Sequence, residues 1–229
     1  MKIIGLIGGT SWYSTIDYYR YINEGINQRL GGHASAKILL YSVNFSEIVP
    51  LTVKGDWDGI ADIIIDAAKR LELAGADCVL LCANTMHLNA VKVQASISIP
   101  LIHIADVTVS AIKAQGLGGV LLLGTKYTML SDIYLTRLRE NGIEQFIPGN
   151  DDLELVNSSI FDELGKGIIS PQTKHEYLRI IDQSVSLGAK GIIMGCTEIP
   201  LLLQPGDCSQ PLLDTTRLHS AAAVDFALG

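Results

Sequence analysis

Leu73-Ala74-Gly75-Ala76-Asp77-Cys78-Val79-Leu80-Leu81 decides the fold. Its first half reads as the small-residue end of a helix. Its second half is an apolar run too short to be another helix, so it reads as a buried strand. The same order returns at Ser186-Leu187-Gly188-Ala189-Lys190-Gly191-Ile192-Ile193-Met194, an offset of 113. Gly9-Thr10 and Gly124-Thr125 repeat at 115, and Pro100-Leu101-Ile102 and Pro211-Leu212-Leu213 repeat at 111. A helix end followed by a strand is common in any α/β protein. Three pairs at nearly one offset, close to half of the 229 residues, predict two similar α/β halves.

Outward from these stretches, apolar strands alternate with amphipathic helices. Strands are expected at 2–7, 36–43, 77–81 and 100–102, then at 119–123, 144–147, 191–194 and 211–213. Ile16, Tyr19, Ile22, Ile26 and Leu30 recur at helical spacing and predict a helix over 14–30. Helices follow at 58–73 and 106–115, then at 129–141, near 151–165, at 171–187 and at 215–227. The stretch from Phe45 to Lys54 reads as a loop. This alternation predicts parallel sheets with helices on both faces. The expected first domain is 1–105 plus a C-terminal helix, 214–229, that packs back on it. The second is 106–213, with the boundary near 103–118. The expected fold class is α/β: two pseudo-symmetric parallel-sheet domains, with the active site expected in the cleft between them.

The composition excludes several function classes. The net charge is −7, against the basic face that nucleic acid requires. Hydrophobic residues are 48% and charged residues only 18%, below the roughly 25% of an average protein, which suggests much buried surface. No apolar stretch approaches the ~20 residues of a membrane span. The opening Met1-Lys2-Ile3-Ile4-Gly5-Leu6-Ile7 is not followed by a small-residue cleavage site, so no secretory leader is expected. Four cysteines, Cys78, Cys82, Cys196 and Cys208, do not make a disulfide framework. The expected location is the cytoplasm, with reduced thiols.

Ligands of α/β folds sit at the carboxyl ends of strands. Four such ends are informative: Gly8-Gly9-Thr10-Ser11, Cys82-Ala83-Asn84-Thr85-Met86-His87, Gly124-Thr125 and Gly195-Cys196-Thr197-Glu198. The repeat would put Cys82 and Cys196 on opposite walls of one cleft. Two thiols facing one carbon from opposite sides can invert a stereocentre: one removes a proton and the other returns one. Such work needs thiols of near-neutral pKa, and helix starts after each cysteine are expected to supply it and to bind a carboxylate. Pro200 suits a first helical position after Cys196.

Val79-Leu80-Leu81-Cys82-Ala83-Asn84-Thr85-Met86-His87-Leu88 and Ile192-Ile193-Met194-Gly195-Cys196-Thr197-Glu198-Ile199-Pro200 resemble the two signatures of the aspartate/glutamate racemase family. The opening Gly8-Gly9-Thr10-Ser11-Trp12 fits as well, and the resemblance spans essentially the whole chain. It implies a cofactor-independent amino-acid racemase, an isomerase and commonly a homodimer. Cys82 and Cys196 match the catalytic pair. Asn84, Thr85, Thr125 and Thr197 match positions that hold the carboxylate and ammonium groups of the amino acid. Thr10 and Ser11 stand where the glutamate branch carries an aspartate, and Glu198 where it carries a histidine. Aspartate-specific members place an arginine after the second strand. Phe45 to Lys54 has none, leaving Thr52 as a neutral contact. Lys166 lies roughly where those members keep a lysine. Lysine without arginine resembles the broad-specificity branch.

The remaining residues have plainer readings. Cys78 reads as core and Cys208 as a bystander. Cys78-x3-Cys82 with His87 fits no common zinc spacing, and no metal site is expected. Asn84, Thr85, Thr125 and Thr197 also suit helix caps. Glu198 reads either as a carboxylate that positions Cys196 or a substrate ammonium, or as a first-turn residue favouring a helix dipole. His87 reads as structural, as do His103 and Asp106. The glycines near Gly8 are not a dinucleotide fingerprint, because G-x-G-x-x-G is absent. Three other functions fit the same residues: a maleate isomerase- or malonate decarboxylase-like cysteine enzyme, a non-catalytic amino-acid-binding paralogue, and a dithiol redox protein.

Overall fold

The computed structural model describes residues 1–229. The chain divides into two compact units: Met1–Val107 with Thr216–Gly229, and Thr108–Thr215.

The first unit runs β1 (Ile4–Gly8), α1 (Trp12–Leu30), β2 (Ile38–Ser42), α2 (Phe45–Lys54), α3 (Trp57–Leu73) and β3 (Cys78–Leu81). A 3-10 helix (Thr85–Asn89) and α4 (Ala90–Ser96) follow, and α5 (Ile104–Ala114) leads into the second unit. The sheet order is β2-β1-β3, all parallel. Strand alternation sorts the side chains onto two faces. Ile7, Val79 and Leu81 join Ile60, Ile64, Ala67, Ala68 and Leu71 of α3. Ile4, Leu6, Cys78, Leu80 and Cys82 join Tyr18, Ile22 and Ile26 of α1. Ala223, Val224 and Ala227 complete that second face. They belong to the last helix, α11 (Thr215–Leu228).

The second unit runs β4 (Gly119–Gly124), α6 (Lys126–Leu130), α7 (Asp132–Glu140), β5 (Glu144–Phe146) and α8 (Asn150–Asp162). A 3-10 turn (Leu164–Lys166), α9 (Pro171–Leu187), β6 (Ile192–Gly195), α10 (Ile199–Leu202) and β7 (Leu212–Asp214) follow. Its sheet order is β5-β4-β6-β7, again parallel. The two orders correspond strand for strand. Leu101 pairs with Val79 through one isolated bridge, in the place that β7 takes beside β6. No helix is long and apolar enough to cross a membrane.

Three expectations are corrected. The stretch Phe45–Lys54 is helix α2 rather than a loop. Asn44 caps it, its side chain accepting from Ser46 N–H, and Gly55 ends it in the left-handed region. Pro50 inside it disguised the periodicity. Residues 100–102 form no strand, only the Leu101 bridge. The helix expected over 129–141 is two helices. Ser131 stands between them with extended backbone, φ −90° and ψ 170°.

Candidate active site

In the first unit, β1 and β3 are adjacent and parallel with Ile7 opposite Leu81, so their following segments leave the sheet side by side. Cys82 N–H donates to Ile7 O at 2.9 Å. The Ser14 hydroxyl, on α1, donates to Cys82 O at 2.6 Å and ties the helix to the cysteine. Gly9 makes the turn into α1 possible. Its φ is +88°, and a Cβ there would lie 2.1 Å from Val43 O. Only glycine fits so close a backbone approach. Ser11 caps α1, accepting from Ser14 N–H at 3.5 Å. Thr10 is buried, and its hydroxyl has no protein partner.

Cys82 is fully buried, and burial raises its thiol well above the ordinary range. Cys78, in the interior of β3, is also pushed up by burial, to about 12, and sits in the core as expected.

In the second unit, β4 and β6 run with Gly124 opposite Gly195, so Thr125 and Cys196 follow at the ends of neighbouring strands. Gly195 allows this closeness, because a Cβ on it would meet Leu123 O at 2.9 Å. The Thr215 hydroxyl donates to Met194 O at 2.9 Å and fixes the end of β6. Thr125 caps α6, accepting from Thr128 N–H at 3.3 Å.

The Cys196 thiol donates to Glu198 Oε2 at 2.8 Å, and the Thr197 hydroxyl donates to the same oxygen at 2.8 Å. The Glu198 carboxylate is thus hydrogen-bonded to the cysteine while standing at the start of α10. Burial first, then the Glu198 charge, pushes the Cys196 thiol well above its usual value. Tyr177 of α9 carries a buried phenol, pushed up mainly by burial and further by Cys196 and Glu163. It exchanges a hydrogen bond of 2.9 Å with Ser159.

The helix starts do not lower the thiols. A 3-10 helix of five residues follows Cys82, and α10 after Cys196 has four. The field of so short an element is weak beside the desolvation of a thiolate at buried Cys82 or half-buried Cys196. Asn84 makes no side-chain cap. Thr52 lies on α2, its hydroxyl donating to Ile48 O at 3.1 Å. Lys166 is exposed and pairs with Asp162 at 3.4 Å. Cys208 is half-buried and donates to Gln210 O at 3.5 Å. Thus Thr10, Ser11, Cys82, Asn84 and Thr85 gather at the carboxyl end of one sheet. Thr125, Cys196, Thr197 and Glu198 gather at that of the other. Thr52 and Lys166 stand on helical segments instead.

A histidine cluster behind Cys82 was not legible in the sequence as a cluster. His87 Nδ1–H donates to Ala83 O at 3.0 Å, and its Nε2 accepts from Ile104 N–H at 3.2 Å. His219 of α11 donates through Nε2–H to Ile102 O at 2.7 Å and accepts the Tyr18 hydroxyl at 2.8 Å. His103 Nδ1 accepts from Ala105 N–H at 3.1 Å, and its ring meets that of His87 edge-on at 4.7 Å. These contacts pin the Cys82-to-His87 segment to the start of α5. No periodic spacing links residues 18, 87, 103 and 219, so no pattern announces the cluster.

Fold and site together define an enzyme of the racemase class, with one cysteine at the matching strand end of each α/β unit. The family model for Asp/Glu/Hydantoin racemase matches residues 7–223, and the chain belongs to that family. It is therefore an isomerase. It is similar to the broad specificity amino-acid racemase RacX of Bacillus subtilis (strain 168): 29% identity over 176 residues, covering 76% of this chain and 74% of that protein. A Yersinia pestis protein, solved as a candidate Asp/Glu racemase, is 49% identical over 100% of both chains, with a TM-score of 0.95. An aspartate racemase homologue from Pyrococcus horikoshii OT3 is 36% identical over 100% of both chains, with a TM-score of 0.89.

Proposed function

We propose that the protein interconverts L- and D-amino acids without a cofactor, with Cys82 and Cys196 as a paired base and acid. The observation that carries this reading is the equivalent placement of the two thiols. Each follows the strand beside the first strand of its unit, on a repeat of 114 residues. One thiolate takes the Cα proton and the other thiol donates to the opposite face. Which of them acts as base depends on the enantiomer. Thr10, Ser11, Asn84 and Thr85 from one sheet end, and Thr125 and Thr197 from the other, orient the carboxylate and ammonium groups. The unpartnered buried Thr10 hydroxyl supports that role.

The substrate set is broad rather than acidic alone. Helix α2 carries no arginine, and Lys166 is exposed and paired with Asp162. The similarity to a broad-specificity racemase points the same way. The active form is a homodimer in the cytoplasm, its size testable by sedimentation.

Proton NMR in D₂O tests the reaction. Reduced protein is mixed with single L-amino acids, and loss of the Hα signal is followed beside chiral chromatography. The expected result is Hα loss with growth of the D-enantiomer for several amino acids. Cys82→Ala and Cys196→Ala should each lower racemisation by about 10³-fold or more, since losing one proton-transfer group removes a whole face. Turnover of maleate or a malonate without exchange of any amino acid would overturn the reading. So would a single cysteine variant that racemises at the unsubstituted rate.

A further inference from the structure

We propose that the exposed face of α1, centred on Ile16, is the surface through which two copies of this chain pair. The inference rests on the homodimer reading and deepens it by naming the face. Five apolar residues announce α1 by their spacing, yet only Ile22 and Ile26 of them are buried. Ile16 and Tyr19 are 53% and 55% exposed, and Trp12 and Tyr13 on the first turn are 57% and 56% exposed. The core takes the other side of the helix, through Ser14, Thr15, Tyr18, Ile22 and Ile26. At 3.6 residues per turn, Trp12, Ile16 and Tyr19 fall on one stripe, with Tyr13 and Arg20 along its edge. The Trp12 and Tyr13 rings lie against each other, their centroids 3.7 Å apart.

The make-up of the stripe is that of an interface centre: aromatic and uncharged, beside a charged rim. Half-exposed side chains of this size offer about 100 Å² each, so the four together offer about 400 Å². A contiguous apolar patch of roughly 300–600 Å² on a monomer often marks a binding surface. The four side chains supply half of the ~800 Å² that each partner of a standard interface buries, leaving the rest to the rim.

A second copy fits this face because the face is complementary to itself. Two α1 helices laid antiparallel about a two-fold axis at Ile16 bring each Ile16 against its own counterpart. Trp12 then meets Tyr19 of the partner subunit, and Tyr13 meets Arg20 of the partner subunit. The two-fold axis makes each contact twice. Arg20 is suited to this contact. It is held by Asp17 at 2.7 Å, its side chain is 49% exposed, and its guanidinium lies 4.5 Å from the Tyr21 ring centroid, leaving its other side for a second ring. A lipid surface fits less well, because the rim sets Asp17 and Glu24 against one Arg20 and the whole chain carries −7.

Sedimentation velocity on the full chain tests the face, with far-UV circular dichroism to check folding. The unsubstituted chain should sediment as a dimer. Ile16→Glu and Tyr19→Glu should each weaken association by about 30-fold or more, as substitution of an interface centre does, and leave the spectrum unchanged. Ile16→Lys should also sediment as a monomer. An equal mixture of Ile16→Glu and Ile16→Lys should return to dimer, because position 16 faces itself across the axis. That recovery is beyond a variant that has merely misfolded.

A dimer that persists in both Ile16→Glu and Tyr19→Glu rejects this face and keeps the homodimer reading. A mixture that stays monomeric rejects the two-fold pairing at Ile16. An unsubstituted chain that is monomeric overturns the face and the homodimer reading together, whether or not it floats with phosphatidylcholine vesicles.

Discussion

Acidification should strike the first unit through His87 and His219. Both are neutral in the fold because each ring has one nitrogen donating and the other accepting. Burial and the neighbouring histidines push His87 well below its usual pKa, and burial pushes His219 down to about 3. In the unfolded chain both titrate near 6.5. As pH falls below that value, the unfolded state gains protons that the folded state refuses. The stability they contribute is therefore complete above about pH 7 and is lost as pH falls from 6.5 towards the folded values. Each histidine removes about 1.4 kcal/mol per pH unit in that window, so the pair removes about 4 kcal/mol by pH 5. Domains are commonly stable by only about 5–15 kcal/mol, so the loss is large.

Urea unfolding followed by far-UV circular dichroism at pH 7.5, 6.5, 5.5 and 5.0 reads this slope. His219→Gln keeps a donor and an acceptor but cannot titrate, and should roughly halve the slope. Stability that is flat from pH 7.5 to 5, or a full slope in His219→Gln, would refute the neutral-cluster argument.

Three further outcomes are expected. Gly9→Ala forces a side chain into left-handed backbone against Val43 O and should cost about 3 kcal/mol, read as a lower urea midpoint at constant slope. Ser14→Ala removes a buried bond to Cys82 O and should cost about 1–2 kcal/mol, with racemisation falling more than stability alone explains, read by chiral chromatography on the folded variant. Lys166→Ala should leave thermal stability unchanged, since its ion pair is exposed. It should also leave the rates with uncharged amino acids intact, and a uniform loss across all substrates would show that Lys166 serves the reaction centre.

The reach of the sequence followed the range of the interactions involved. Buried strands such as Cys78–Leu81 and Ile192–Gly195 are apolar throughout, and the intervening helices repeat at helical spacing, so α/β alternation was legible locally. The repeat then aligned the strand ends and picked out Cys82 and Cys196. Helix α2 escaped because Pro50 conceals a helix whose real signals are the Asn44 and Gly55 caps. Leu101 forms only a bridge because strand length depends on what lies beside it.

The amino-acid sequence alone determined the parallel α/β class, the repeat and the pair of cysteines, because hydrophobic period and residue identity are local properties. Only the tertiary structure decided the protonation chemistry. A thiol's pKa depends on burial and on whether a neighbouring charge turns to face it, and naming Glu198 two residues from Cys196 fixes neither. Folding buries Cys82, turns the Glu198 carboxylate onto Cys196, and packs Tyr18, His87, His103 and His219 from distant parts of the chain into one cluster of touching rings.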